Sequence, residues 1–356
     1  MNKNYYAVIM AGGVGSRFWP VSTPEHPKQF HDMLGTGRSL LQQTFDRLSR
    51  LIPASNILVA TNERYRALVT EHLPEIGERQ MLLEPVMRNT APCILYSALK
   101  IRMENPDAVM IVAPSDHFIE NEEEFLKNVH SAFEACQSRD ILMTLGIKPY
   151  GPNTGYGYIQ YEQGEEEVKK VRNFTEKPDL ETAKAFLRRG DYLWNAGIFI
   201  WSVSSILQAF ENDLQDMYEL FCKGNSCWNT EEEKGFIQNN YGLAENISID
   251  FGIMEKAPNV CVMATDFGWN DLGTWGSLYE KLDKDSSGNA SVNALGLFLD
   301  ASGNMVRTQK GKKLVVQGLH DFIIVETQDT ILIFPKDKEQ DIKIVSKEAQ
   351  DRFGAV

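Results

Sequence analysis

No stretch of this 356-residue chain offers the ~18 consecutive apolar residues of a membrane helix. The short apolar run at 6–10 ends in glycines, which is not the pattern of a signal peptide. Cysteine is scarce and odd in number: Cys93, Cys136, Cys222, Cys227 and Cys261 stand far apart and form no C-x-x-C. They read as free thiols of a reducing, cytoplasmic compartment. The six histidines show no zinc spacing. Positive charge is in deficit, 36 Lys and Arg against 49 Asp and Glu, a net −13. That balance argues against broad nucleic-acid binding, while a local cluster of cations can still hold a small anion. Two familiar phosphate-loop patterns are also missing. No Gly-Lys-Ser/Thr follows a Walker spacing, and Phe18 stands where the third glycine of a dinucleotide loop is required.

What is present begins at 11–30, AGGVGSRFWPVSTPEHPKQF. It follows the run 6–10, which reads as a buried first strand. Gly12, Gly13 and Gly15 let backbone N–H groups approach a phosphate, and Arg17 and Lys28 add fixed positive charge. A tight turn with surface charges is the plain alternative. The length of the composite, closed by Pro27-Lys28-Gln29-Phe30, favours a polyphosphate pocket.

The first 150 residues alternate strand and helix patterns. Apolar runs at 56–60, 81–83, 108–113 and 141–147 have strand length. Between them, Leu41, Phe45, Leu48 and Ile52 form a helical stripe with Ser39 as N-cap and Pro53 as stop, and Phe125, Val129 and Phe133 form another. This order predicts an α/β fold with a mostly parallel sheet flanked by helices, ligands gathering at the carboxyl ends of the strands. Further strands are expected at 156–161 and 168–175, and helices at 179–189 and 203–221. A polar stretch at 283–289 reads as a linker. Beyond it, apolar runs at 314–316, 322–325 and 331–334 suggest small β units. Ile342, Val345, Ala349 and Phe353 suit a closing helix that docks the tail on its own domain or on a second subunit.

Several polar residues carry chemistry in this frame. Asp116, after the strand at 108–113, suits magnesium, which takes one or two carboxylates plus phosphate oxygens and waters. Capping a turn is its bland role. Asp271, between aromatic anchors in Trp269-Asn270-Asp271-Leu272-Gly273-Thr274-Trp275, is a second candidate; it or Asn270 would otherwise cap a helix near Gly273. Lys177 could hold a sugar phosphate and Glu176 sugar hydroxyls, or the two could be a surface pair. Asn195 lies inside an apolar run and needs a polar partner there. Gly155-Tyr156-Gly157-Tyr158 brings backbone against a ligand or forms a bulge.

Taken in order, these segments resemble the mannose-1-phosphate guanylyltransferases of the nucleotide-sugar pyrophosphorylase family. The resemblance rests on the 11–30 composite, Glu84-Pro85, Arg88-Asn89-Thr90-Ala91-Pro92 and Pro114-Ser115-Asp116-His117. It continues through Gly155-Tyr156-Gly157-Tyr158, Glu176-Lys177-Pro178, Trp194-Asn195-Ala196-Gly197-Ile198-Phe199 and Ser248-Ile249-Asp250. Met254-Glu255-Lys256 and the 269–275 segment complete it.

The resemblance implies a Rossmann-like mixed sheet, the nucleotidyltransferase fold, over 1–285 and a small C-terminal β domain, a left-handed β-helix with a terminal helix, over 290–356. It implies transfer of GMP from GTP to α-D-mannose 1-phosphate, giving GDP-mannose and pyrophosphate. Arg17, Lys28 and Lys177 would be catalytic, and Asp116 and Asp271 would hold Mg2+. Ala11, Gly12, Gly13, Gly15, Glu84, Pro85, Asn89 and Ser115 would face the nucleotide, and Gly157, Glu176, Asn195 and Glu255 the sugar. Thr23 departs from the family, where arginine is common. The chain ends before the isomerase domain of the longer bacterial relatives, so isomerase activity is not expected. Two other readings compete: a pyrophosphorylase for another sugar or base, and a nucleotide-sugar-sensing subunit without turnover. The expected partners are GTP and mannose 1-phosphate, with no nucleic acid, no membrane and a homodimer through the C-terminal region.

Overall fold

The computed structural model describes residues 1–354. In chain order the first elements are β1 (Tyr5–Met10), α1 (Leu40–Ser49), β2 (Ile57–Asn62), α2 (Arg66–His72), β3 (Met81–Glu84), α3 (Thr90–Glu104), β4 (Val109–Pro114), β5 (Phe118–Ile119), α4 (Glu122–Ser138) and β6 (Leu142–Ile147). The middle holds β7 (Tyr158–Tyr161), β8 (Val168–Thr175), α5 (Leu180–Arg189), β9 (Tyr192–Ser202), α6 (Val203–Asp213), α7 (Gln215–Cys222), α8 (Glu233–Asn240), β10 (Val260–Thr265), β11 (Trp269–Asn270) and α9 (Trp275–Lys281). The tail holds β12 (Ala290–Leu299), β13 (Met305–Gln317), β14 (Phe322–Glu326), β15 (Ile331–Pro335) and α10 (Ile342–Phe353).

The chain divides into two compact units. The first comprises residues 1–12, 44–115 and 119–269; the second comprises 13–43, 116–118 and 270–356.

The first unit is built on a nine-stranded sheet of order β3-β2-β1-β4-β9-β6-β10-β8-β7. β1, β2, β3 and β4 run parallel, as the expected βαβ order requires. β9 is the departure: it runs antiparallel to both β4 and β6, so the sheet is mixed at its centre. Interior strands here are buried on both faces, which is why β1, β2 and β4 read as continuous apolar runs. α3 lies under the sheet with Ala91 to Ile101 buried without interruption, as expected for a helix apolar all round. Caps set the helix limits. The Asn89 side chain accepts from Thr90 N–H at the start of α3, Asn121 from Glu124 N–H in α4, and Asp179 from Thr182 N–H in α5, which Gly190 closes at φ 71°. One helix was expected over 203–221; instead Leu214, at φ −137°, breaks it into α6 and α7.

The second unit is a separate core. β12 pairs parallel with β13 and β13 with β14, while β15 closes antiparallel. Stacked parallel strands are the pairing a β-helix needs. Met305, Ile323, Val325, Leu332 and Ile342 of this tail share one buried cluster with Phe18, Trp19, Leu272 and Trp275. The polar stretch at 283–289 is ordered by its own turn: Asp285 accepts from the backbone of Ser287 and Asn289, and Asn289 reaches Ala301. All five cysteines are unpaired, and no helix among the described residues is long and apolar enough to cross a membrane.

Candidate active site

In the second unit the loop leaving β1 turns at Gly15, φ 67°. A Cβ there would stand 2.6 Å from the Lys28 Cβ, so only glycine lets the two segments pass. Ser22 Oγ donates to the Val14 carbonyl and clamps the loop. Phe18 and Trp19 are buried anchors, and Arg17 beside them is exposed, with no ion pair or hydrogen bond among the described residues. Its backbone is anchored by these neighbours, and its side chain is left open to solvent.

Lys28 is 3% exposed. Its Nζ donates to Asp116 Oδ2 at 2.9 Å and to the Asp271 carbonyl at 3.0 Å, and lies 5.3 Å over the Phe18 ring. One ammonium therefore ties together three segments that the sequence singled out separately. Burial works to raise the Asp116 carboxyl, but the charge and hydrogen bond of Lys28, helped by His117, outweigh it and hold the group below the usual carboxylate range. The ionised form of Asp116 is thereby favoured. Asp271 Oδ1 accepts from Gly273 N–H at 3.1 Å, and a Cβ at Gly273 would lie 2.6 Å from Oδ2, so the glycine makes room for the carboxylate. The cap of α9 is Thr274, paired with Ser277, and neither Asp271 nor Asn270 is needed for it. No group of three or more metal-binding side chains occurs among the described residues. Two hard carboxylates are nonetheless the donor set magnesium uses when phosphates and waters supply the rest.

In the first unit a second group of side chains assembles. Gly157 carbonyl accepts from Asn195 N–H at 2.8 Å, and a Cβ on Gly157 would run into Glu176 Oε2. Lys177, at φ 46° and largely exposed, pairs with Glu176 Oε1 at 2.7 Å. The Glu176 backbone donates to the Glu255 carboxylate. Asn195 sits where the β6/β9 register shifts, with Gly197 at φ 66°. Its Oδ1 accepts from Thr144 Oγ1 at 3.0 Å and Gly197 N–H at 3.1 Å, and its Nδ2 donates to Asp250 Oδ1 at 3.0 Å. The amide expected to need a polar partner has three within the protein. Burial, and then the Glu176 charge, push the Asp250 carboxyl up to about 6.

The nucleotide candidates divide. Glu84 is buried and accepts from Tyr241, with Gly12 beside its free oxygen. Ala11 donates its own N–H to Ala60 and accepts from Thr61, and Ser115 N–H donates to Met10, so these backbones brace the strand ends. Asn89 caps α3, and Pro85 is half-buried at the exit of β3. Tyr241, Thr144 and Asp250 were given no role from the sequence. Asp250 sits on a π-helical turn within the Ser248-Ile249-Asp250 segment. Tyr241 and Thr144 join partners 157 and 51 positions away and leave no local signal.

Comparison with known proteins shows what the chain is similar to. The family model described as Nucleotidyl transferase matches residues 6–288, and one described as MannoseP isomerase/GMP-like beta-helix domain matches 296–348. The chain is 35% identical to a mannose-1-phosphate guanylyltransferase of Escherichia coli, over 96% of this chain and 75% of the relative. It is 34% identical to the alginate biosynthesis protein AlgA of Pseudomonas aeruginosa, over 96% of this chain and 71% of that one. A crystal structure described as a mannose-1-phosphate geranyltransferase from Thermus thermophilus superposes with a TM-score of 0.88 at 28% identity, covering 98% of this chain and 99% of that one.

Proposed function

The chain belongs to the nucleotidyl transferase family, and from that premise we propose that it transfers GMP from GTP to α-D-mannose 1-phosphate, giving GDP-mannose and pyrophosphate. The observation that carries the chemistry is the Lys28 ammonium held by Asp116 and by the Asp271 segment beside a glycine loop. That is a device for binding phosphate charge, and the relatives name the sugar.

An oxygen of the sugar phosphate attacks the α-phosphorus of GTP, and the bond from that phosphorus to the oxygen bridging the β-phosphate breaks. Pyrophosphate leaves with the electron pair. The nucleophile is already an anion, so no general base is required. The barrier lies in bringing two anions into line and in charge growing on the leaving group. Arg17, exposed beside its buried anchors, meets the leaving phosphates; Lys28 fixes the acidic segments and adds its charge to the same region. Lys177, released from Glu176, holds the sugar phosphate. Glu176 and Glu255 accept hexose hydroxyls, with Gly157 giving them room and Asn195 held in place by Thr144 and Asp250. Asp116 and Asp271 would hold Mg2+, which would supply screening of phosphate charge. Glu84 with Pro85 and Asn89 faces the base, Gly12, Gly13 and Gly15 shape the phosphate path, and Ala11 and Ser115 brace their own strand ends.

We read residues 1–285 as the catalytic domain and 290–356 as the small β domain. The latter exposes Leu295, Leu297, Val315, Ile331 and Ile333, apolar side chains that support a homodimer through this region. Five unpaired cysteines support a cytoplasmic setting. The test is pyrophosphate release from GTP and mannose 1-phosphate, with and without magnesium, against ATP, UTP and glucose 1-phosphate. Preference for the GTP and mannose pair is expected; faster turnover of another pair, or none with any, overturns the reading.

A further inference from the structure

Glu84 ends β3 with its carboxyl buried, and among the described residues its one hydrogen bond comes from the Tyr241 phenol. No cation faces it. The titratable groups packed around the pair are the Cys93 thiol and the Tyr96 phenol of α3; on the β1 side the wall is Gly12, where a Cβ would stand 3.9 Å from Glu84 Oε2. A carboxyl buried without a cation or a backbone N–H is costly, and an apolar residue would serve packing better. Tyr241 itself is fully buried and packs edge-on to Phe221 at 5.8 Å, so the phenol cannot swing away. The exit loop of β3 is tied to the same place: an Arg88 guanidinium N–H donates to the Gly242 carbonyl at 2.5 Å, and Val86 lies against Gly242.

Building on the GTP-dependent reading above, we infer that Tyr241 sets the base preference of the nucleotide site by holding the Glu84 carboxyl as a pure acceptor. An ionised carboxylate only accepts. A guanine edge presents two donors, N1–H and the 2-amino group, and satisfies it. An adenine edge presents N1 as an acceptor and meets lone pair with lone pair. Once protonated, the carboxyl gains a donor, suits adenine and loses its match to guanine. Burial pushes the Glu84 carboxyl up to about 7, and the Tyr241 hydrogen bond opposes that rise. The phenol thus decides which form prevails near neutral pH, and Tyr241 is a positioning residue that acts through Glu84.

The test is the ratio of kcat/KM for GTP over ATP, with mannose 1-phosphate, from pH 6 to 9 in the wild type, Tyr241→Phe and Glu84→Gln. Calorimetric binding of GTP and ATP is measured alongside. In the wild type the preference for GTP should grow as pH rises through about 7 and then level. Tyr241→Phe should move that rise upward by about one pH unit and cut the preference at pH 7 roughly tenfold. Glu84→Gln should flatten the profile. A Tyr241→Phe profile that superimposes on the wild type, or that loses GTP and ATP binding equally at every pH, overturns the inference. Should Tyr241→Phe not fold, an unchanged pH dependence in Glu84→Gln overturns it equally. A wild type that binds GTP but never turns it over sinks the proposed reaction instead, and the calorimetric GTP-to-ATP ratio then decides the inference in the same proteins.

Discussion

Lys28 Nζ stands 2.9 Å from Asp116 Oδ2, a buried ammonium against a carboxylate 88 positions further along. The same ammonium reaches the main chain of Asp271, so the two candidate metal ligands are tied to one cation. Asp116→Asn and Asp271→Asn should each lower turnover by about 10²–10³. Circular dichroism should stay that of the wild type. Either variant at full activity under limiting magnesium would remove that residue from the metal site.

Arg17→Lys should cost about 3 kcal/mol of transition-state stabilisation, read as a fall in kcat with little change in melting temperature. Arg17 is exposed and bonds to nothing among the described residues, so folding does not depend on it. Lysine keeps the charge but loses the planar fork that meets two phosphate oxygens at once. A variant that matches wild-type kcat would end the role.

Glu84 gives a test that needs no substrate. Its carboxyl is raised from 4.5 to about 7 by burial, so folding favours the protonated form. A group raised in this way adds stability below about 4.5 and loses it as pH climbs through about 7. Glu84→Gln should therefore melt near the wild type at pH 5 and higher than it at pH 8, by up to ~3 kcal/mol. Parallel melting curves at both pH values would show that burial leaves the group unshifted.

The glycine loop and its packing were legible in the sequence because they sit in short composites. Gly15, Arg17 and Lys28 fall within fourteen positions, and the Phe18-Trp19 anchors advertise the turn. The parallel strands were legible from apolar runs buried on both faces. β9 was not read as a strand because Asn195 and Gly197 interrupt its pattern, and the structure shows a shift of register against β6 at that interruption. β12 was missed for another reason: its fully buried residues, Ala290 and Val292, stand at one end, while Leu295, Leu297 and Leu299 alternate toward solvent. Tyr241 illustrates a third limit. Its role exists only through Glu84, and a single sequence does not report a contact across 157 positions.

The tail was expected to support and assemble rather than to react, and its packing sharpens that expectation. Trp275 is fully buried and meets Phe18 edge-on at 4.9 Å, within the cluster to which Met305, Ile323, Val325, Leu332 and Ile342 belong. Removing the chain after about residue 285 would strip those five side chains from the cluster that anchors the glycine loop. Truncation should therefore lose GTP binding and cooperative melting together, and not merely lower the oligomeric mass. Trp275→Ala is the milder version, and a loss of about 3–5 kcal/mol is expected from a cavity of that size. Assembly is tested separately on the outer face. Leu297 pairs with Val315 across β12 and β13, and both are more than half exposed. Leu297→Lys with Val315→Lys should halve the mass in light scattering while leaving melting and turnover near the wild type. A wild type already monomeric at micromolar concentration would refute the dimer, and a truncated chain that still binds GTP tightly would show that the loop needs no anchor from the tail.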